Sequence, residues 1–271
     1  MEPSKNNPLT VPIAIIVAGG LIAAAIFLRG GTGTPSGTLP KQPAAVASPP
    51  DLSAITLRPV DERRDYIRGN PDADIVFVEF SDTECPFCKR FHTTMQQVMS
   101  EYGKSGKVAW VYRQFPIVQL HSKAPKEAEA LECAGELGGN VKFWEYTDRV
   151  FEVTPSNDGL DASALPRIAT EIGLNESLFM DCLSSGRQQT RVKSDYEDGT
   201  IAGANGTPHS VLVLKNPISA SNKKALLELM EQFRDARGEL PMSFSLDGLR
   251  IGMSGALPLE VVKATTDILL K

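Results

Sequence analysis

Five residues after a run of β-branched and aromatic side chains, Ile75-Val-Phe-Val-Glu-Phe80, the chain reads Cys85-Pro86-Phe87-Cys88. Phe87, Phe91, Met95, Val98, Met99 and Tyr102 then recur at steps of three and four until Gly103, one face of a helix and its stop. Asn70-Pro71-Asp72 supplies a turn before the first run, so that run reads as a buried strand. Two thiols therefore stand where a strand gives way to a helix, a constraint that only an α/β arrangement meets. At the first helical position a sulfur lies among unpaired backbone N–H groups, at the positive end of the helix dipole. Such surroundings bring a thiol pKa into the range of about 3.5–7.5. Cys85 is thus expected as an exposed, acidic thiol, and Cys88, one turn on, as the sulfur that closes a disulfide with it. Pro86 suits the first turn, where its missing N–H costs nothing.

Two plainer readings compete. Half of a zinc site needs two more ligands, yet no second C-x-x-C or His pair follows, and His92, His121 and His209 are isolated. A purely structural disulfide leaves the strand–helix placement without a purpose. No metal and no cofactor are expected, since the sulfurs themselves carry the electrons.

Other segments fill in the frame. Val108–Tyr112 and Ser210–Leu214 read as strands, and Ser243–Ile251 as a last one. Residues 123–200 carry a helical pattern broken at Gly138-Gly139, Pro155–Gly159, Gly173 and Gly186, which makes four or five helices. Residues 222–237 form an amphipathic helix, and Pro258–Leu270 a closing one. The stretch 216–240 has no assigned role. The sum is a small α/β sheet with a helical insertion at about 120–202. Over 271 residues the net charge is −5, which argues against nucleic acid as a partner.

Before this lies a different kind of sequence. Val11–Leu28 is apolar and free of charge, and at ~1.5 Å per residue it reaches nearly across a ~30 Å bilayer core. A cleaved signal peptide is the alternative, but no small-x-small site follows directly. The expectation is an uncleaved anchor at 11–28, with a short cytoplasmic tail at 1–10 and a Pro/Gly-rich linker at 29–55. Residues 56–271 would then be the folded part, on the extracytoplasmic side of the cell membrane. Gly30–Gly33 only superficially resembles a phosphate loop, since no strand precedes it.

Val78–Asp82 leading into Cys85–Cys88, followed by Arg113-Gln-Phe-Pro116, His121 and Gly206-Thr207-Pro208, resembles the DsbA-like thiol:disulfide oxidoreductases of the thioredoxin superfamily. The resemblance implies a thioredoxin fold carrying a helical domain between its central strands. It implies that Pro208 is a cis proline facing the active disulfide, with Thr207 offering backbone to a substrate strand beside Pro86 and Phe87. It further implies that Glu79 is a buried acid, suited to proton exchange with Cys88. His209 departs from the family's commoner small or hydroxylated residue after the proline; it is expected to face solvent, the alternative being that it tunes the thiolate electrostatically. Cys133 and Cys182 lie in the helical block; four cysteines permit three pairings. Family likeness favours a structural Cys133–Cys182 disulfide, which would require an oxidising compartment.

The resulting expectation is a membrane-anchored oxidase that donates the Cys85–Cys88 disulfide to exported proteins with free thiols. The family implies re-oxidation by a quinone-linked membrane protein. A disulfide isomerase or reductase and a thiol-based copper chaperone are the alternatives. Asn175-Glu-Ser177 and Asn205-Gly-Thr207 match a glycosylation pattern by chance.

Overall fold

The computed structural model describes residues 55–271. Strands β1 (Tyr66–Gly69), β2 (Ile75–Ser81) and β3 (Val108–Gln114) surround helix α1 (Pro86–Tyr102) in the chain order. Helices α2 (Ala124–Val153), α3 (Ala164–Glu171), α4 (Glu176–Ser185) and α5 (Gln189–Ile201) come next. Strand β4 (His209–Leu214), helix α6 (Ala220–Met230), strands β5 (Met242–Phe244) and β6 (Arg250–Ser254), and helix α7 (Leu259–Leu269) complete it. The proposed anchor and linker, at 11–28 and 29–55, lie outside the described residues but for Ile55. No helix among the described residues is long and apolar enough to cross a membrane.

The strands form one six-stranded sheet in the order β1-β3-β2-β4-β6-β5. The β2–β3 pair is parallel and the others are antiparallel. Both central strands are buried along their whole length, so alternation sends their side chains into two cores. Ile75, Phe77, Trp110, Tyr112 and Leu212 face the core shared with α1 and α2, which holds both Cys85 and Cys88. Val76, Val78, Phe80, Val111 and Val211 face a second core containing Leu57, Phe115 and Ala202. The fold is therefore mixed α/β, with four helices between β3 and β4.

Three expectations change. A short edge strand, β1, precedes the first expected one; its four residues are too few for a periodic signal. The single last strand is a hairpin, β5–β6, turned at Asp247-Gly248. The break at Gly138-Gly139 is a kink inside α2, where Gly139 takes φ 68° and ψ −163°, a conformation open to little but glycine. The unassigned stretch 216–240 supplies α6, which buries Leu226 and Met230 and hydrogen-bonds through Asn222 to the Ile268 carbonyl of α7.

Candidate active site

Cys85 is the N-cap of α1, with extended backbone (φ −79°, ψ 120°) and no side-chain cap bond. Pro86 follows in the first turn. The helix thus begins on a residue whose sulfur is free to meet the first unpaired N–H groups. Cys85 and Cys88 are free thiols. Cys85 is 5% exposed and Cys88 not at all, so access is narrower than the sequence suggests, and only the first sulfur has any.

Pro208 supplies the opposite wall. The Thr207–Pro208 peptide is cis, and the Cys85 thiol donates to the Thr207 carbonyl at 3.5 Å. Pro208 is buried while Thr207 is partly open, and Pro86 and Phe87 are exposed, Phe87 by 53%. An apolar ring and a partly open backbone edge thus border the reactive sulfur. Behind it, Cys88 accepts from the Asp82 N–H at 3.4 Å.

The two thiols are driven apart in acidity. Hydrogen bonding from the Cys88 thiol and from the Cys88 and Phe87 backbone outweighs burial and brings Cys85 down to about 6. Burial, and the Cys85 thiolate beside it, push Cys88 well above the ordinary thiol range. At neutral pH the reduced pair is therefore one outer thiolate and one inner thiol.

Glu79 lies on β2, fully buried. Its Oε2 accepts from Trp110 Nε1 at 2.9 Å, while Oε1 has no partner among the described residues. Burial pushes its carboxyl up to about 7. Its charge also acts on Cys88. A carboxyl that can hold or release a proton near neutrality, within electrostatic range of the inner sulfur, is placed to serve that sulfur.

His209 does not face solvent. It opens β4, between Phe80 of β2 and Ser254 of β6, and is 5% exposed. Its Nδ1 lies 3.1 Å from Ser254 Oγ, and burial depresses it to about 4. It is neutral at pH 7 and contributes no cation to the thiolate. Strand register, which a single residue after a proline does not announce, decides its burial.

Cys133 and Cys182 are joined by a disulfide between α2 and α4, both fully buried. Among the described residues no cluster of His, Cys, Asp or Glu has the makings of a metal site.

The sequence reading missed a set of acids around Cys85. Asp82 accepts from the Ile117 N–H at 2.8 Å and pairs with His121 Nδ1 at 3.0 Å. Glu84 is fully buried, and Glu127 of α2 lies against it. The available signal was the acidic Asp82-Thr83-Glu84 run directly before a sulfur meant to carry negative charge.

A thioredoxin family model matches residues 61–231. Solved structures share the fold at TM-scores slightly above one half. DsbA2 of Pseudomonas aeruginosa is 20% identical with a TM-score of 0.51, covering 76% of this chain and 94% of its own. Alpha-DsbA1 of Wolbachia pipientis is 19% identical at 0.53, covering 76% and 93%. BdbD of Bacillus subtilis, in its oxidised form, is 19% identical at 0.51, covering 62% and 93%. Among curated sequences, the Na(+)/H(+) antiporter NhaA 1 of Mycobacterium sp. (strain KMS) is 37% identical over 164 residues, 59% of this chain. That of Mycolicibacterium gilvum is 35% identical over the same length. The chain spans only about a quarter of these antiporters. Their ion transport belongs to the larger proteins and is not carried over. On the residues matched and the fold adopted, the chain belongs to the thioredoxin family.

Proposed function

We propose that the protein is a thiol:disulfide oxidoreductase that works as an oxidase of exported proteins. The observation that carries this reading is the split between an outer Cys85 held near 6 and an inner Cys88 held high, facing cis Pro208. In the oxidised enzyme a substrate thiolate attacks Cys85 Sγ, and the Cys85–Cys88 bond breaks toward Cys88, which takes a proton from Glu79. A second substrate thiol, once deprotonated, attacks the substrate sulfur of the mixed disulfide, and Cys85 leaves as a thiolate. Two substrate thiols are oxidised to a disulfide, and the enzyme's disulfide is reduced to a thiolate and a thiol. A stabilised Cys85 thiolate favours the reduced enzyme and so makes the oxidised form an oxidant. Thr207 and Pro208 hold the substrate backbone, with Pro86 and Phe87 beside it.

The setting is part of the same reading. Val11–Leu28 anchors the chain in the cell membrane, residues 29–55 space the folded part from it, and that part faces the extracytoplasmic side. The Cys133–Cys182 disulfide supports an oxidising compartment. A quinone-linked membrane protein re-oxidises the pair, as in the resembling family.

The reduction potential tests the direction. Equilibration with glutathione should place the Cys85–Cys88 couple near the roughly −120 mV of strong oxidants, and the oxidised protein should close a dithiol peptide. A potential near the −270 mV or so of thioredoxin would overturn the oxidase in favour of a reductase. In Cys88→Ala the Cys85 thiolate should attack a disulfide-bonded peptide, release one of its thiols and accumulate as the mixed disulfide, and a variant that forms none would overturn the exchange mechanism itself.

A further inference from the structure

Glu84, the residue immediately before the reactive cysteine, is fully buried and bound on nearly every polar atom. Its Oε1 accepts from the Leu160 N–H at 3.1 Å and from the Thr154 hydroxyl at 3.4 Å. Its Oε2 accepts from the Gly159 N–H at 3.1 Å, and its carbonyl oxygen from the Asn157 N–H at 2.8 Å. All four contacts reach one loop, residues 154–160, which joins α2 to α3. Its own N–H donates to Asp82 Oδ1 at 2.8 Å.

That loop needs holding. Ser156, Asn157 and Asp158 stand in succession at φ 66°, 55° and 62°, left-handed backbone without a glycine. Asp158 is fixed on its far side by the Ser122 and Lys123 N–H groups at 3.0 and 2.9 Å. Lys89 of α1 donates to the Thr154 carbonyl at 2.6 Å, and Lys123 to that of Leu160 at 2.8 Å. Glu127 presses against Glu84 from α2, pushed up to about 8 by burial and by that neighbour, so it is neutral at pH 7 and its proton is available to Glu84. Asp82 and its partner His121 close the cluster.

We propose that Glu84 is a positioning residue for Cys85, clamping the turn that presents the sulfur onto the 154–160 loop of the helical insertion. The proposal rests on the oxidoreductase reading and adds a device to it: the insertion sets the geometry of the sulfur that the helix N-terminus activates.

In Glu84→Gln one of the two acceptor oxygens that hold the loop becomes an amide nitrogen, which weakens the clamp. Loss of the clamp would move Cys85 ionisation to higher pH, because Sγ drifts from the Phe87 and Cys88 N–H groups. The experiment is the pH profile of Cys85 alkylation by iodoacetamide in the reduced protein, with amide hydrogen exchange over residues 154–160. Glu84→Gln should raise the alkylation midpoint by one pH unit or more and speed exchange at Asn157, Gly159 and Leu160 at least tenfold. Thr154→Val, which deletes the hydroxyl that donates to Glu84 and accepts from the Ser156 N–H, should move both in the same direction by less, and it decides the matter if Glu84→Gln does not fold. An unmoved or lowered midpoint would overturn the clamp, whatever the exchange shows. A wild-type Cys85 that titrates like a free thiol would overturn the oxidoreductase reading, and this proposal with it.

Discussion

At the scale of single residues, the Cys85 thiol ties reactivity to stability. Its pKa falls from an ordinary thiol value to about 6 on folding. A depressed acid stabilises the fold above its unfolded pKa, and the stabilisation is lost as pH falls through the folded value. The reduced protein should therefore lose up to about 2–3 kcal/mol between pH 8 and pH 5 relative to the disulfide form, in which Cys85 does not titrate. Parallel thermal melts of the two forms check this, and a constant gap across that range would refute it. Glu79 offers an optical readout, since Trp110 donates to it. Intrinsic fluorescence of the reduced protein should change with a midpoint near 7, where burial holds the Glu79 carboxyl, and Glu79→Gln should abolish that transition. A midpoint in the ordinary carboxylate range would show Glu79 to be solvated. The sulfurs were legible because they stand where a strand gives way to a helix, whereas the cis proline and the buried acid were legible only through the family resemblance. His209 and Glu84 were not, because their partners, Ser254 and residues 154–160, reach them only through register and tertiary packing.

Elements were legible where their periodicity ran long. Helix α1 and strands β2 to β4 fall within two residues of their expected bounds, whereas four-residue β1 and the β5–β6 turn carry too little pattern to be seen. The helical insertion depends on more than its own periodicity. Helix α2 is kinked at Gly139, and α3 and α4 are short, with eight and ten residues. Isolated helices of that length are marginal in water. The Cys133–Cys182 bond ties α2 to α4 across a separation of 49 residues. In the chain-entropy account a loop of that size contributes about 4 kcal/mol. Cys133→Ala with Cys182→Ala should lower the urea unfolding free energy by roughly 3–5 kcal/mol. Cleavage sites in α3 and α4 should open to protease before those in the sheet. A loss below 1 kcal/mol would mean that packing alone holds the insertion.

Across the whole molecule, one buried ion network joins segments that the sequence keeps far apart. Arg113, fully buried at the end of β3, grips Asp65 with two bonds of 3.0 and 2.8 Å and Asp198 of α5 with one of 2.6 Å. Arg58 adds bonds to Asp65 and Asp195, at 3.1 and 3.0 Å. The Arg113-Gln-Phe-Pro116 motif was visible in the sequence, but not its task, because periodicity reports neighbours and these partners lie 48 and 85 residues away. Strand β3, helix α5 and the 58–65 segment thereby meet on the face of the sheet opposite Cys88. Burial by itself would raise the Asp65 carboxyl; the Arg113 pair overrides it and leaves Asp65 below its ordinary value. Removing the cation leaves buried Asp198 without a positive partner and Asp65 with Arg58 alone, which costs about 3–5 kcal/mol. At this chain length Arg113→Met should therefore lower Tm by roughly 10 °C at pH 7. Asp65, as a depressed acid, stabilises above the unfolded carboxylate pKa and stops doing so as pH falls through its folded value. The wild-type advantage should accordingly shrink as pH drops below about 4. Adding Asp65→Asn and Asp198→Asn to Arg113→Met should recover part of the loss at pH 7, because the stranded charges go with the cation. A triple variant no more stable than the single one would show that Arg113 acts through its packing volume instead of its charge.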